Sequence, residues 1–317
     1  MTEAPLVLAL GAGGFLGSHL VDSLVARGYR VRALDRFQPH VPPLFLPSDQ
    51  VEQVSGDFLN RGDLGQALAG VSMVVHLVST TNPATAENDP LIDIETNVRG
   101  SVQLFELCVE AGVERLVYTS SGGTVYGDRT GTEPIRETDP TEPVSPYGIG
   151  KLSVENYLRY FRRKHGLRST IFRVGNPFGA RQPFWKRQGV IPIFLDAITS
   201  HKPITIMGDG SMTRDYIYVT DVSDMIADSL ARDPQHGVYN LGSGVPVSVN
   251  EVVSTIEEVT GIEAIRSSVP QPATFVQSSV LDMGRYVSEF GPHPAVSFAE
   301  GIRRTYDYMQ EVRRDRG

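Results

Sequence analysis

The feature that most constrains the fold is a glycine-rich turn between an apolar strand and an amphipathic helix near the start of the chain. Residues 6–10 read LVLAL, a continuous apolar run typical of a strand that is covered on both faces. The turn GAGGFLG follows, and apolar residues at helical spacing continue to Gly28, a predicted helix stop. A strand, a tight turn and a helix in this order predict the first unit of a parallel α/β fold.

The rest of the first half repeats this alternation. Strands are predicted in the segments YRVRALD, VEQVSGD, VSMVVHLV, RLVYTS and RSTIFRV, with helices near residues 64–69, 91–112 and 147–165. Such a rhythm predicts an α/β fold with a doubly wound parallel Rossmann sheet and helices on both faces.

The rhythm loosens after about residue 176. The segment NPFGARQPFWKRQGVIP is rich in Gly, Pro and Arg and is typical of an irregular, functional loop. Helices are predicted near residues 190–200, 222–232, 249–261 and 297–312. We therefore expect a Rossmann domain over residues 1–175 and a smaller C-terminal α/β lobe over 176–317 that mainly binds substrate. The segment of about 215–260 is expected to return in part to the first sheet.

The glycine turn is spaced as a dinucleotide-binding loop requires. Gly11 permits the tight turn, Gly14 lets the backbone approach a pyrophosphate, and Gly17 lets helix and strand pack closely. The start of the helix, including Phe15 and Leu16, would offer free N–H donors and the positive end of the helix dipole to the phosphates. The turn therefore predicts a bound dinucleotide.

An acidic residue at the end of the second predicted strand strengthens this prediction. Asp35 lies 18 residues beyond Gly17, close to the spacing expected for a carboxylate that hydrogen-bonds the ribose hydroxyls. That carboxylate would repel a 2′-phosphate, so the sequence favours NAD over NADP. Arg36, beside it, can soften the preference.

A tyrosine and a lysine lie on one face of a later predicted helix. Tyr147 and Lys151, in SPYGIGKLSVENYL, are four residues apart, so one lies above the other. A free phenol has a pKa of about 10, too high for a base at neutral pH. A nearby ammonium and an oxidised nicotinamide both favour phenolate, so we expect a lowered pKa for Tyr147. Alone, such a pair is typical of a solvated helix face, but after a dinucleotide fold it predicts a catalytic pair. Lys151 would also hold the nicotinamide ribose.

A series of motifs resembles one enzyme family along nearly the whole chain. They are GAGGFLG, GDF, HLVST, NVRGSVQLFELC, YTSSGGTVYGD, SPYGIGK, FRVGNPFGARQ, GDGSMTRDYIYVTDV, YNLGSG and EGIRRTYDYM, in the family's order. The chain resembles an extended short-chain dehydrogenase/reductase of the nucleotide-sugar epimerase/dehydratase family, close to the UDP-galactose 4-epimerase-like members. The resemblance implies an NAD-dependent enzyme with a UDP- or dTDP-hexose as substrate. It also implies a homodimer built on the helix that ends near Gly112 and the helix of Tyr147.

The resemblance further implies which residues surround the cofactor. Asn97 would hold the shape of the active site, unless it merely caps backbone, and Ser120 would lie near the nicotinamide. Asp57 and Phe58 would flank the adenine. The segment after the fourth strand would line the cofactor at His76, Leu77, Val78, Ser79 and Thr80.

Three residues of the second half are implied in substrate binding. Asn176 and Val190 would face the sugar nucleotide, and Arg214 would reach its diphosphate. The alternative for Arg214 is an ion pair with Asp215 or Asp221.

The chain departs from the family pattern in the segment that precedes Tyr126. Most relatives place Ser or Thr four residues before the tyrosine of VYG, where its hydroxyl contacts the reacting group, but this chain has Gly122. Ser121, Thr124 or water would have to take its place.

A second departure concerns the diphosphate. The epimerases usually carry an arginine in an Arg-Pro-Gly-Asp segment, whereas the corresponding stretch here, residues 270–276, reads PQPATFV. Arg181, Lys186 or Arg187 would have to compensate.

The residues after Gly122 discriminate among the family's reactions. The 4,6-dehydratases need an Asp–Glu pair there and the decarboxylating relatives a glutamate, but this chain has Gly123 and Thr124. Elimination and decarboxylation are therefore disfavoured. The favoured activity is NAD-dependent 4-epimerisation of a nucleotide sugar, UDP-hexose above all, through a 4-keto intermediate. A nucleotide-sugar 4-ketoreductase or dehydrogenase and a non-catalytic NAD-binding regulatory protein are the alternatives.

Composition narrows the setting. A formal net charge of −8 argues against general nucleic-acid binding. Cys108, the only cysteine, can form no intrachain disulfide, and no metal-ligand spacing is present. The N-terminal apolar run, about six residues, is too short for a membrane span. We therefore expect a cytoplasmic protein without a metal, membrane or nucleic-acid partner.

Overall fold

A computed structural model of the chain describes residues 4–128, 131, 133–184, 189–271 and 276–316. The strands in this part of the chain are β1 (Leu6–Leu10), β2 (Arg30–Asp35), β3 (Val51–Ser55), β4 (Met73–His76), β5 (Arg115–Ser121), β6 (Ser169–Val174), β7 (Asn176–Phe178), β8 (Ile204–Met207), β9 (Thr213–Tyr218), β10 (Val238–Leu241), β11 (Pro246–Ser248), β12 (Arg266–Val269) and β13 (Ser278–Ser279).

The helices account for about half of the remaining described residues. They are α1 (Phe15–Ala26), α2 (Arg61–Ala67), α3 (Pro83–Asn88), α4 (Pro90–Asp93), α5 (Arg99–Glu110), α6 (Pro146–His165), α7 (Val190–Thr199), α8 (Val219–Leu230), α9 (Val249–Thr260), α10 (Gly284–Phe290) and α11 (Phe298–Arg316). A π-helical turn, Ile94–Val98, joins α4 to α5, so the predicted helix near residues 91–112 is one helical run with a wider turn inside it. Such turns are frequent at functional sites.

Seven parallel strands form the central sheet, in the order β10–β6–β5–β4–β1–β2–β3. The order reverses between β1 and β4, because β1 pairs with β2 on one side and with β4 on the other. Ligands of such sheets bind beyond the carboxyl ends of the strands at this switch point. The predicted Rossmann fold is confirmed.

The two faces of the sheet have separate cores, as the continuous apolar strands require. Along β1, Val7 and Ala9 belong to the core covered by α1 and α8, while Leu8 and Leu10 belong to the core covered by α2, α5 and α6. All four side chains are fully buried. Both faces of β1 are therefore covered by helices, which holds the glycine turn after it in a fixed position.

The second half of the chain divides between the sheet and a smaller lobe. β10 and α8 both lie within residues 215–260. β10 pairs with β6 of the central sheet, and α8 packs against α1. The smaller lobe has its own core, which includes Phe178, Leu195 and Ile302, around strands β7, β9, β11 and β13. Within the described part of the chain, no helix has both the length and the apolar character that crossing a membrane would demand.

Candidate active site

A cleft of about 280 Å³ lies at the carboxyl ends of β1, β2 and β4. Most of the predicted cofactor residues line it, namely Gly11, Gly14, Asp35, Arg36, Asp57, Phe58, Leu77, Val78, Ser79 and Thr80. Leu10, Leu34, Gly56 and Leu59 also line it and were not predicted. They adjoin predicted positions on the same strand ends, so strand topology is the signal that would have found them.

The glycine turn leaves the start of α1 open. Gly11 has a φ of 87°, in the left-handed region that favours glycine. A Cβ atom at Gly17 would overlap the Gly11 carbonyl oxygen, so the helix meets the turn too closely for any side chain. Gly14 caps α1 without a side-chain hydrogen bond, which leaves N–H groups of the first turn for an anion. The side chains of Phe15 and Leu16 are half-buried and pack against a hydrophobic core, and neither residue lines the cleft.

The Asp35 carboxylate, at the end of β2, is held against the glycine turn by hydrogen bonds. Its Oδ2 accepts a hydrogen bond from the Gly13 amide at 2.8 Å, and its Oδ1 accepts one from the Arg36 amide at 2.7 Å. A Cβ atom at Gly13 would lie 3.1 Å from Asp35 Oδ2. Gly13, which the sequence analysis did not single out, therefore lets the turn approach the carboxylate.

Asn97 connects the loop after β4 to the π-helical turn. Its Oδ1 accepts a hydrogen bond from the Thr80 amide at 2.8 Å. Its Nδ2 donates to Thr81 Oγ1 and to Asp93 Oδ1, each at 2.8 Å. The side chain thus bonds backbone and two other side chains, and it fixes the loop that lines the cleft.

Local sequence signals place Tyr147 and Lys151 in the first two turns of α6. Ser145 Oγ accepts a hydrogen bond from the Gly148 amide, Pro146 occupies the first helical position, and α6 ends at Gly166 with a φ of 72°. Tyr147 therefore lies in the first turn, half-buried, and Lys151 lies buried one turn later.

The Lys151 ammonium is directed toward β5. Its Nζ donates a hydrogen bond to the Thr119 carbonyl at 3.1 Å. It lies 5.1 Å from the centre of the Tyr118 ring and 5.7 Å from the centre of the Tyr147 ring. Burial lowers the pKa of Lys151 to about 8, although the carboxylates of Asp93 and Glu155 oppose this.

Lys151 alone does not produce the lowering of the Tyr147 pKa that was expected from this ammonium together with an oxidised nicotinamide. Burial raises the pKa of Tyr147 to about 12, a hydrogen bond with Ser79 lowers it, and Asp93 adds to the rise. The physical reason is that the phenol is desolvated, while the Lys151 ammonium bonds a carbonyl and lies beside the ring. The pair alone does not provide a ready phenolate.

Ser120 belongs to a buried ion-pair cluster formed by β5, α6 and β6. Its hydroxyl donates to Glu155 Oε1 at 2.6 Å, and Arg173 Nη2 lies 2.8 Å from Glu155 Oε2. The Ser120 hydroxyl, which was expected to lie near the nicotinamide, therefore donates its hydrogen bond to Glu155. Glu155 and Arg173 were not predicted, although a charged residue within each apolar stretch is the signal that would have found them.

Gly122, four residues before Tyr126, packs closely against Leu281. A Cβ atom at Gly122 would lie 2.6 Å from Leu281 Cδ1, so the family's Ser or Thr would require the Leu281 side chain to move. Ser121 ends β5 nearby. Thr124 Oγ1 is buried and has no hydrogen-bond partner within the described chain. A ligand hydroxyl would satisfy this atom.

The predicted substrate residues lie along β7, β9 and α7. Asn176 donates to the Asp215 carbonyl at 3.3 Å and lies near Gly123, while half-buried Val190 begins α7. Arg214 donates to the Thr213 carbonyl at 2.7 Å and to a methionine sulfur.

The alternative ion pairs of Arg214 are not formed. The Asp215 carboxylate accepts hydrogen bonds from Ser243 and its neighbours, and Asp221 lies 3.7 Å from His293. Burial lowers the pKa of Arg214. A desolvated guanidinium without a carboxylate partner among the described residues is suited to bind an anion.

The remaining predictions concern the residues expected to compensate for the missing diphosphate arginine. Arg181 Nη1 lies 2.7 Å from Asp22 Oδ2, so in this structure its guanidinium forms an ion pair with α1. Lys186, Arg187 and residues 272–275 lie outside the described residues.

Comparison with known proteins identifies the family. The family model described as "NAD dependent epimerase/dehydratase family" matches residues 7–242. The chain is 35% identical to the UDP-glucose 4-epimerase of Mycolicibacterium smegmatis, over 96% of this chain and 98% of that protein. It is 30% identical to the dTDP-4-dehydro-6-deoxyglucose reductase of Escherichia coli, over 93% and 95%.

Solved structures agree with this assignment. The UDP-glucose 4-epimerase of Thermotoga maritima with UDP-glucose matches with a TM-score of 0.89 and 31% identity, over 97% of this chain and 99% of the other. The UDP-glucose 4-epimerase of Thermus thermophilus in complex with NAD matches with a TM-score of 0.88 and 32% identity, over 96% and 99%. With the glycine turn, Asp35 and the Tyr147–Lys151 pair in place, this chain belongs to the NAD dependent epimerase/dehydratase family.

Proposed function

We propose that the protein is an NAD-dependent nucleotide-sugar 4-epimerase, with a UDP-hexose as substrate. The observation that carries this proposal is the Tyr147 phenol, which is hydrogen-bonded to Ser79 of the cleft and lies one helical turn from Lys151. The chain also has Gly123 and Thr124 where elimination would need carboxylates. The relatives named UDP-glucose 4-epimerase and the neighbour in complex with NAD bear out the predicted enzyme class and cofactor.

The described residues fit NAD. The open first turn of α1 and the glycine turn would bind the pyrophosphate, and Asp35 would bind the ribose hydroxyls. Asp57 and Phe58 would flank the adenine, and Lys151 would hold the nicotinamide ribose. The predicted roles of Leu77 to Thr80 in lining the cofactor are part of the same proposal, which their position in the cleft supports.

When bound, NAD would supply the hydride acceptor for C4 of the sugar, and its reduced form would supply the hydride donor for the opposite face. Tyr147 takes the proton from the 4-hydroxyl and returns it to the 4-keto sugar after the sugar has turned. Lowering the pKa of Tyr147 from about 12 to 7 requires roughly 7 kcal/mol. The Lys151 charge and the positive nicotinamide would provide this stabilisation in a cleft that excludes water. Thr124 Oγ1 or Ser121 would orient the 4-hydroxyl, and Thr124 is favoured because its hydroxyl is unpartnered.

The smaller lobe would bind the sugar nucleotide, with Asn176 and Val190 beside the sugar and Arg214 on the diphosphate. The same proposal includes the domain division, in which residues 176–317 mainly form the substrate lobe and part of 215–260 belongs to the sheet. The unpaired, desolvated guanidinium of Arg214 supports the assignment.

Replacing Arg214 by methionine is expected to raise the KM for UDP-hexose about 10-fold to 100-fold, since a hydrogen bond to a charged group contributes about 1.5–3 kcal/mol. The kcat should change much less, because the group lies away from the reacting carbon. Steady-state kinetics measure both constants. Replacing Arg303, exposed on α11, by methionine provides the control. An unchanged KM in Arg214→Met would remove this residue from the diphosphate site.

A second candidate function is a nucleotide-sugar 4-ketoreductase. The similarity to the Escherichia coli dTDP-4-dehydro-6-deoxyglucose reductase favours it. A reductase consumes a reduced cofactor in every turnover, whereas an epimerase regenerates its own.

One experiment separates these functions. The purified protein is incubated with a panel of UDP- and dTDP-hexoses, and with their 4-keto sugars, with and without added reduced cofactor. Inversion at C4 without added cofactor is expected for the epimerase. Turnover only with added reduced cofactor identifies the reductase, and bound NAD without any turnover identifies the regulatory protein.

We also propose a homodimer, formed through a groove of about 490 Å³ between α5 and α6. Tyr157 and Tyr160 are 45% and 47% exposed there, unusually so for large aromatic side chains. The α5 side carries carboxylates and the α6 side basic groups, so a copy related by a two-fold axis would bring opposite charges together. The groove is lined by Val102, Glu106, Val109, Glu110, Tyr157, Tyr160, Phe161, Lys164 and His165.

Replacing both Tyr157 and Tyr160 by glutamate is expected to convert the dimer to a monomer, because it places charge in an apolar contact. Light scattering after gel filtration measures the mass. Replacing exposed Lys202 by glutamate is the control. A monomeric wild-type protein would rule out this interface.

A reducing, cytoplasmic setting is also proposed. Cys108 is buried in α5, and burial raises the pKa of its thiol to about 12. The thiol is therefore protonated and unreactive, and the fold needs no disulfide.

A further inference from the structure

Asp93 is a buried carboxylate beside the proposed catalytic pair. It ends α4 and is only 2% exposed. Its Oδ1 accepts hydrogen bonds from the Thr81 hydroxyl and the Asn97 amide, both neutral donors. No Lys or Arg among the residues that the structure describes forms a salt bridge with it. Asp93 therefore places a carboxylate charge without an ion-pair partner in a desolvated region. Burying such a charge is unfavourable unless a nearby cation stabilises it.

The sequence of α6 accommodates this carboxylate. A Cβ atom at Gly150 would overlap Asp93 Oδ2, so the carboxylate approaches the backbone of α6 immediately before Lys151. Glycine is unfavourable inside a helix relative to alanine. The close approach explains why glycine occupies this position.

Among the other groups around Lys151, the Glu155 carboxylate also raises the pKa of the lysine, but less than Asp93 does. Glu155, one turn further along α6, is already paired with Arg173 and Arg159. His76 on β4 is neutral because burial lowers its pKa to about 3. The phenols of Tyr118 on β5 and Tyr147 on α6 also face Lys151, and burial raises the pKa of both.

We propose that Asp93 is a positioning residue, which holds the Lys151 ammonium charged and the Tyr147 phenol protonated until a further positive charge enters the cleft. Its carboxylate raises the pKa of Lys151 and of Tyr147. The close approach of Asp93 to Gly150 gives this effect a structural basis, because it brings the end of α4 next to the Tyr147–Lys151 pair. The catalytic meaning of this inference rests on the proposed epimerase function, but the effect on charge does not.

Lysine titration tests the inference without any turnover. The chain has four lysines, Lys151, Lys164, Lys186 and Lys202, so ¹³Cε-labelled lysine gives few signals in a two-dimensional NMR spectrum. The Lys151→Arg variant assigns the signal of Lys151. In the wild type we expect this signal to titrate near pH 8, below the ordinary lysine value of about 10.4.

In Asp93→Asn, the Lys151 midpoint is expected to fall by roughly one pH unit. Asparagine retains an oxygen that can accept both observed hydrogen bonds, so this variant removes mainly the charge. Gly150→Ala is the second variant, because its methyl group must displace the carboxylate, and it carries the same test if Asp93→Asn does not fold. Gly65→Ala is its control, since a Cβ atom there, in α2, meets nothing within 4 Å.

Activity gives a second readout. If the wild type inverts C4, both limbs of its pH–rate profile should move to lower pH in Asp93→Asn. A Lys151 midpoint that stays in place in both variants, with activity merely reduced, would overturn the inference. A wild type that shows no C4 inversion would overturn the proposed function instead, and the NMR titration would still decide the role of Asp93.

Discussion

Replacing Tyr147 by phenylalanine is expected to reduce C4 inversion by ~10²–10⁴-fold, the usual contribution of general acid–base catalysis. The substitution removes the one atom proposed to exchange a proton with the sugar, and it retains the ring that packs beside Lys151. NAD binding and the fold should persist, since neither the glycine turn nor Asp35 is touched. The loss should appear in kcat more than in KM, because the proton transfer belongs to the chemical step.

The measurement is the rate of UDP-hexose inversion, followed by NMR, together with the amount of NAD bound. Tyr157→Phe is the matched control, because Tyr157 lies on the same helix but is 45% exposed on its outer side. A Tyr147→Phe protein that inverts C4 at the wild-type rate would show that this phenol does not transfer the proton.

Replacing Arg173 by methionine is expected to lower the free energy of unfolding by about 3–5 kcal/mol, since the buried Glu155 carboxylate would keep only the exposed Arg159 as a cationic partner. Arg173 is 2% exposed and Glu155 is fully buried, with Arg173 Nε and Nη2 bonding the two carboxylate oxygens. Burial alone lowers the pKa of Arg173, but Glu155 raises it above its ordinary value. Arg173 also stacks on the ring of Tyr126, which adds to the loss.

Urea unfolding measures this effect. Arg159→Met is the matched control, because Arg159 contacts the same carboxylate but its side chain is 48% exposed, and it should cost about 1 kcal/mol or less. Equal losses in the two variants would show that burial does not distinguish the two ion pairs.

Local patterns in the sequence were sufficient to predict the sheet and its cleft. An apolar strand followed by glycines at fixed spacing has few structural solutions, and the overlap that a Cβ atom at Gly17 would create shows why. The helix that carries Tyr147 was predicted within a residue of its start, because Ser145 and Pro146 are local capping signals.

Long-range contacts could not be read from the sequence. The glycine that replaces the family's hydroxyl is explained by Leu281, more than 150 residues away. Asp93 reaches Gly150 through the tertiary fold, and Ser120 is occupied by a buried pair formed between α6 and β6. The rise in the pKa of Tyr147 has the same origin, because desolvation depends on everything packed around the phenol.

UDP-glucose deuterated at C4 offers the most direct measurement of the proposed reaction. Without added cofactor, we expect UDP-galactose to form with the deuterium still on C4, because the hydride leaves and returns within one site. Failure to invert C4, or inversion with loss of the deuterium to solvent, would contradict 4-epimerisation by hydride transfer at the Tyr147–Lys151 pair.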